Sequence, residues 1–231
     1  MVLDIDNKVI LEEGLKQLSI DIEKETLEKL ISLKNILLEF NEKINLTAIT
    51  DEKEIYIKHF LDSGTCLSTG YIKDDDKIID VGTGAGFPGL VLKIIKNNIN
   101  ITLLDSLRKR ITYLEETSER LDLGKVNTIH GRAEEYGIKK GQRETYDIVL
   151  SRAVASLNVL SEYCIPFVKV GGHFISMKGP DVEEELKSSQ NAIKILGGKI
   201  IEKKLVKIPE SDIIHSLIII EKTRGTPTKY P

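Results

Sequence analysis

Ten residues, Asp80-Val81-Gly82-Thr83-Gly84-Ala85-Gly86-Phe87-Pro88-Gly89, constrain this chain more than any other stretch. They follow the apolar run Lys77-Ile78-Ile79 and lead into a segment that reads as helix over 87–96. A short strand that passes through closely spaced glycines into a helix opens an α/β unit with parallel strands. Glycines there let the backbone take positive φ and approach a ligand with no Cβ in the way. The helix behind them presents free N–H groups and the positive end of its dipole, which suits an anionic group. Pro88 fits its first turn, where a missing N–H costs nothing.

The spacing narrows the ligand. A dinucleotide fingerprint, Gly-x-Gly-x-x-Gly, counted from Gly82 needs a third glycine at 87, which is Phe87. Counted from Gly84 it matches at Gly84, Gly86 and Gly89, but two residues late relative to the strand end and with Pro88 inside it. The better description is acidic-x-Gly-x-Gly-x-Gly, which resembles the turn of S-adenosylmethionine-dependent methyltransferases. A carboxylate at Asp80 complements an ammonium or sulfonium and repels a pyrophosphate. About twenty residues beyond the glycines, Asp105 ends the second strand, where a carboxylate accepts ribose hydroxyls. Its alternative role is to cap the helix that begins at Leu107. Arg132-Ala133-Glu134 follows the third strand, the position from which such folds cradle adenine, and alone it also reads as an ordinary helix start.

The remaining pattern supports a doubly wound α/β chain. Strands are expected over 77–81, 99–105, 126–130, 146–151 and 173–178, with helices over 107–121, 156–168 and 183–196 between them. Two final strands, 200–208 and 215–221, have no helix between them and are expected to pair as an antiparallel edge hairpin, giving seven strands, mostly parallel. Residues 1–75 read as an N-terminal helical extension: Leu30, Leu33, Leu37, Phe40 and Ile44 step by three and four, with a polar start at 19–21. A second helical stretch is expected over 51–67. The binding domain is then 76–222, and 223–231 an irregular basic tail. Aromatics are 5% and Trp is absent, so aliphatic side chains build the core. A net charge of −3, from 33 basic and 36 acidic residues, argues against coating nucleic acid or membrane by bulk charge. Cys66 and Cys164 form no metal-like pair, and His59 and His173 stand far from any cysteine or second histidine, so no metal is expected. Reduced thiols, no secretory leader and no membrane-length apolar run place the expected chain in the cytoplasm.

Several blocks in order carry a more specific likeness. Asn45-Leu46-Thr47, His59-Phe60-Leu61-Asp62-Ser63 and the glycine turn come first, followed by Leu104-Asp105-Ser106-Leu107 with Lys109-Arg110. Gly131-Arg132-Ala133-Glu134-Glu135, Ser151-Arg152-Ala153-Val154-Ala155 and Met177-Lys178-Gly179 complete them. Over nearly its whole length the chain resembles the bacterial glucose-inhibited division protein B family, guanine-N7 methyltransferases of small-subunit (16S) ribosomal RNA. The resemblance implies a Rossmann-like class I methyltransferase fold and S-adenosylmethionine as cofactor. It implies 16S ribosomal RNA or the small ribosomal subunit as partner, with no membrane and a monomeric chain. The implied cofactor contacts are Gly82, Phe87, Ala133, Glu134 and Arg152, to which the glycine turn adds Gly84 and the ribose argument Asp105. Gly64 stands where the family is expected to carry an aliphatic residue, and 226–231 resembles only the start of a longer basic tail.

The chemistry implied needs no general base, because guanine N7 carries a lone pair and no proton. Positioning and desolvation carry the rate, so the lack of a His-Asp or Cys-His constellation is expected. A donor must bind O6 and leave N7 free. Arg152 and Lys178 end adjacent strands at the ligand-binding edge, although Lys178 also reads as a surface lysine. Asn45 sits in a turn expected to fold over the cleft, where it bonds a base edge or serves the turn's backbone. Competing readings are a methyltransferase for a protein or small molecule, and an RNA-binding assembly factor on the same scaffold. The second predicts loss of the glycine turn or of Asp105, and both are present.

Overall fold

In the computed structural model, residues 2–152 and 155–231 are described, with side chains from residue 7 onward; Ala153 and Val154 of the Ser151–Ala155 block lie outside the described residues. The strands are β1 (Lys77–Val81), β2 (Asn100–Asp105), β3 (Val126–His130), β4 (Tyr146–Arg152), β5 (Val168–Lys178), β6 (Gly198–Lys207) and β7 (Ile214–Lys222). Among the described residues they form one seven-stranded sheet in the order β3-β2-β1-β4-β5-β7-β6. The first five are parallel, and β7 runs antiparallel between β5 and β6. The chain leaves β1 toward β2 and later returns to its other side at β4. That reversal opens a crevice at the carboxyl ends of β1 and β4, where open α/β sheets hold their ligands.

The pleat explains the near-continuous apolar strands. Ile78, Ile148, Leu150 and Ile175 enter one buried cluster, while Ile79, Val149 and Phe174 enter another on the opposite face. The first cluster is covered by α1 (Val2–Gln17), α2 (Lys24–Ile44), α5 (Gly89–Ile95) and α6 (Arg108–Arg120). The short α7 (Ala133–Tyr136), α8 (Leu157–Cys164) and α9 (Glu183–Ile195) cover the second. The stripe read from Leu30 to Phe40 is buried, so the N-terminal helices share a core with the sheet.

Element boundaries moved where local chemistry intervened. The polar start expected at 19–21 is a return after α1, with Ser19 at φ 59°, and α2 begins behind Glu23 with no side-chain cap. The 51–67 stretch is broken: α3 (Glu52–Ile55) is capped by Asp51, then come a π turn (Tyr56–Leu61), α4 (Asp62–Gly64) and a 3-10 turn (Thr65–Thr69). The helix expected from 87 starts at Gly89, because residues 83–88 fold into a turn closed by Gly86 N–H and Phe87 N–H on Thr83 O. The Phe87–Pro88 peptide is cis. α8 stops at Cys164 and gives way to a 3-10 turn at Ile165–Phe167, since Pro166 cannot continue the α-helical ladder. The strand expected from 173 begins at Val168 and takes in Gly171-Gly172 as a bulge: β4 advances from Tyr146 to Ile148 while β5 advances from Val168 to His173. A Cβ at Gly172 would lie 2.5 Å from Asp147 O, so the two backbones meet there only without a side chain.

The 223–231 segment has no helix or strand, as expected, yet it is held in place. Arg143 donates to Thr226 O, Pro227 O and Tyr230 O, and the buried Lys222 ammonium bonds Ile165 O and Thr226 Oγ1. Glu144 lies 3.2 Å from that ammonium and also accepts Thr226 N–H.

Candidate active site

A cavity of about 560 Å³ opens at the β1/β4 reversal, a volume typical of small-molecule and cofactor sites. All seven residues expected to hold a cofactor, Gly82, Gly84, Phe87, Asp105, Ala133, Glu134 and Arg152, line it. The glycine turn is fastened to the end of β2: Gly82 and Thr83 N–H donate to Leu104 O at 2.9 and 3.1 Å, and Gly84 N–H donates to Asp105 Oδ2 at 2.9 Å. Gly82 and Gly84 hold φ of 71° and 61°, in the left-handed region, and the space beside the Gly84 Cα is open. An open glycine cradle beside a carboxylate at the end of the second strand fits a nucleoside with a cationic side arm. Among the described residues, no group of three or more His, Cys, Asp or Glu side chains is arranged for a metal.

Asp105 does two things at once. Its Oδ1 accepts Leu107 N–H at 2.9 Å, fixing the start of α6, while Oδ2 takes Gly84 N–H and a longer 3.3 Å bond from Arg110. Capacity for a ribose hydroxyl remains, since a carboxylate offers about four lone-pair positions. Asp80 departs from the expectation that it faces a cationic ligand. It is fully buried under the turn, where Oδ2 accepts Thr83 Oγ1–H at 2.7 Å and Gly89 N–H at 2.9 Å. The N-terminal dipole of α5, expected to serve an external anion, is thus met by the chain's own Asp80. Burial pushes that carboxyl up to about 6, against the pull of Thr83 and Gly89.

His59 stands in the cavity wall. Its ring stacks on Phe87 with centroids 4.6 Å apart and planes 19° from parallel, and the Arg152 guanidinium lies 5.4 Å from the other aromatic centroid. His59 Nδ1 lies 3.2 Å from Lys58 O and 3.3 Å from Arg152 Nη2, and Nε2 lies 2.9 Å from Thr47 Oγ1. Burial, reinforced by Arg152, lowers the imidazole pKa to about 4. His59 is therefore neutral near pH 7, a flat wall and not a proton donor.

Arg152 is anchored more deeply than its strand-end position suggested. Its Nη1 bonds Lys58 O at 3.1 Å and Asp62 Oδ2 at 3.0 Å, and Asp62 Oδ1 meets His215 Nδ1 at 2.8 Å. Asp62 and His215 were missed by the sequence reading. Their meeting depends on the π turn, which aims Asp62 at the strand ends, and on the insertion of β7 beside β5. A second cavity, of about 510 Å³, lies on the far side of the His59–Arg152 wall. Lys178 lines this one, and it is neither free nor on the surface: its Nζ bonds Ala155 O at 2.7 Å and Glu185 at 2.8 Å. Asn45 lines neither cavity. With φ 50° it is the left-handed C-cap of α2, and its neighbours Leu46 and Thr47 reach the first cavity instead.

Comparison with known proteins agrees with this geometry. The model of the GidB family, rRNA small subunit methyltransferase G, matches residues 26–214. A ribosomal RNA small subunit methyltransferase G from Alkaliphilus metalliredigens is 55% identical over 98% of this chain and 95% of its own length. Among solved structures, a mutant of MtNAS superposes with a TM-score of 0.58 at 14% identity, covering 97% of this chain and 88% of that one. A precorrin-6y C5,15-methyltransferase from Geobacter metallireducens gives 0.52 at 15% identity, covering 69% and 87%. Those two likenesses concern the fold, a Rossmann-like α/β sheet shared with class I methyltransferases. The family match and the 55% identity over almost the full length decide the rest: this chain belongs to the rRNA small subunit methyltransferase G family.

Proposed function

We propose that this chain transfers a methyl group from S-adenosylmethionine to N7 of a guanine in small-subunit (16S) ribosomal RNA. The observation that carries the reading is the cavity at the β1/β4 reversal, where the glycine turn, Asp105, the Ala133–Glu134 start of α7 and Arg152 converge in a chain of this family. Gly82, Gly84 and Phe87 bed the amino-acid and sulfonium part, Asp105 takes the ribose, and Ala133 and Glu134 border the adenine. S-adenosylmethionine supplies an electrophilic methyl on a sulfonium centre.

The chain's own residues then have to orient and desolvate. Guanine N7 attacks in line and gives up no proton, so no side chain acts as a base. The neutral His59 ring suits this, since a proton there would add positive charge beside the sulfonium. Arg152, fixed on Asp62, forms the partition between the two cavities, and Lys178 keeps an ammonium donor for guanine O6 beyond its bonds to Ala155 O and Glu185. No described helix is long and apolar enough to cross a membrane, which accords with work on ribosomal particles in the cytoplasm.

The test is transfer of labelled methyl from S-adenosylmethionine to small subunits taken from cells lacking this protein, with protein, free RNA and tRNA as controls. Label confined to small-subunit RNA at N7 of a guanine is the expected result. Cofactor binding with no transfer to any ribosomal particle would overturn the reading and leave only the fold.

A further inference from the structure

The second cavity is bounded by the ends of β4 and β5, the start of β7 and the π turn, and it shares His59 and Arg152 with the cofactor cavity. Its charge is set by which groups are already paired. Asp62 is 2% exposed and spends both oxygens, one on Arg152 at 3.0 Å and one on His215 at 2.8 Å. Glu185 is committed to Lys178 Nζ and to Leu157 N–H, both at 2.8 Å. Each of these carboxylates neutralises a lining cation, and Lys58 is paired with Glu54 at 2.7 Å, so Lys58, Arg152 and Lys178 stand against Asp62, Asp181 and Glu185, and His215 is the group whose protonation makes the lining net positive. With His215 protonated, such a hollow beside the proposed methyl-donor site, separated from it by a neutral imidazole and a guanidinium, suits an anionic acceptor.

His215 is the variable member of that wall. Its side chain is 29% exposed, enough to meet a ligand while Nδ1 stays on Asp62. The other ionisable side chains lining the cavity are Lys58, His59 and Asp62 in the helical segment, Arg152 on β4, Lys178 on β5, and Asp181 and Glu185 around the start of α9. Across the hairpin its partner is Val206, uncharged, and the next residue, Lys207, is paired with Asp212 at 3.0 Å. The hydrogen bond to Asp62 raises the imidazole pKa above its ordinary value, while burial and Arg152 oppose it.

We propose that this cavity receives the acceptor nucleotide with its phosphate, and that His215, as an imidazolium held on Asp62, is the cation that positions that phosphate beside Arg152. This rests on the reading of the chain as an RNA methyltransferase. It makes RNA binding sensitive to pH at a site that does not touch the cofactor. The imidazolium is present below its raised pKa and is lost as pH rises through it, so affinity for the RNA falls toward alkaline pH. His59 is neutral throughout the range and adds no step of its own.

The experiment compares wild type, His215→Gln and His215→Arg on unmethylated small subunits between about pH 6 and 8.5. Initial rates give kcat/KM for the subunit, and fluorescence anisotropy gives RNA binding. Wild type is expected to lose about 10-fold or more in kcat/KM across the range, the lower end of what one charge-assisted contact is worth. His215→Gln starts at the low value and is flat, whereas His215→Arg stays high and is also flat. S-adenosylmethionine affinity is the same for all three. A wild-type pH profile retained in His215→Gln, or an Arg variant as weak as the Gln variant while normally folded, overturns the proposal. If wild type labels no subunit at all, the functional reading fails instead. The binding arm then still judges the cavity, by whether His215→Gln alone loses the pH dependence of RNA affinity.

Discussion

Replacing Asp62 by alanine tests the central electrostatic claim. In the native fold its buried carboxylate takes a 3.0 Å bond from the Arg152 guanidinium and a 2.8 Å bond from His215. Charge-assisted hydrogen bonds are worth roughly 1.5–3 kcal/mol each, and removing one partner of a buried pair costs about 3–5 kcal/mol because the other charge is left uncompensated. Arg152 keeps Lys58 O, which argues for the lower half of that range. A loss of about 3–4 kcal/mol lowers Tm by roughly 6–16 °C for a chain of this size. The pH dependence sharpens the test. His215 has a raised folded pKa, so its part of the stabilisation is fully present below about 6.5, its ordinary value, and disappears as pH rises through the folded value. Urea unfolding followed by circular dichroism, run at about pH 6 and about pH 9, should therefore show a larger Asp62→Ala cost at the acid end. A cost under about 1 kcal/mol would mean that the Arg152–Asp62–His215 network is not holding the strand ends together. An equal cost at both pH values would remove His215 from it.

Three further expectations follow from single positions. Gly82→Asp places a side chain and a negative charge at a backbone with φ 71° in the cofactor cradle, so calorimetric titration of S-adenosylmethionine should show no binding; a normal titration would take the turn out of the site. His59 stays neutral in the folded chain down to about pH 4 while the unfolded chain takes its proton near 6.5, so wild-type stability drops by about 3 kcal/mol as pH falls across that window. His59→Gln lacks that drop, and because the raised Asp80 carboxyl acts alike in both proteins, a matched acid limb in the two denaturation curves would refute the assignment. Deleting 226–231 strips Arg143 of three carbonyl partners and Lys222 of Thr226 Oγ1, for an expected loss of about 2–4 kcal/mol by urea unfolding, with transfer activity retained in the cold.

The sheet was legible because its central strands carry apolar runs between turn residues, as in Lys77–Val81, whose bounds the structure reproduces. The edge hairpin was legible from the missing helix between the last two strands. What the pattern could not carry were features set by side chains far apart in sequence. Gly171-Gly172 looks like any turn, and only the approach of Asp147 O makes it a bulge. The cofactor cavity was readable for a related reason: its walls are strand-end motifs, each local in sequence, whereas the second cavity is not local. Lys178 gave its position but not its pairing with Glu185 on α9, and nothing in the residues around His215 announces Asp62, 153 positions earlier.

Asp80 and Asp105 show why a motif and its chemistry have to be separated. Each ends a neighbouring strand beside the glycine turn, and the sequence reading gave both a ligand. Their surroundings divide them. Asp80 points to the α5 side, where it is shut away from water and meets Thr83 and the Gly89 N–H, so its negative charge answers the helix dipole and shapes the turn from beneath. Its second oxygen has no hydrogen-bond partner and burial drives its pKa up, so this residue supports the turn from beneath and does not line the cavity. Asp105 reaches the same turn from the β2 side through Gly84 N–H and also borders the cavity. The acid written first in the motif thus builds the turn, and the acid twenty-five residues later is the one placed to meet a ribose.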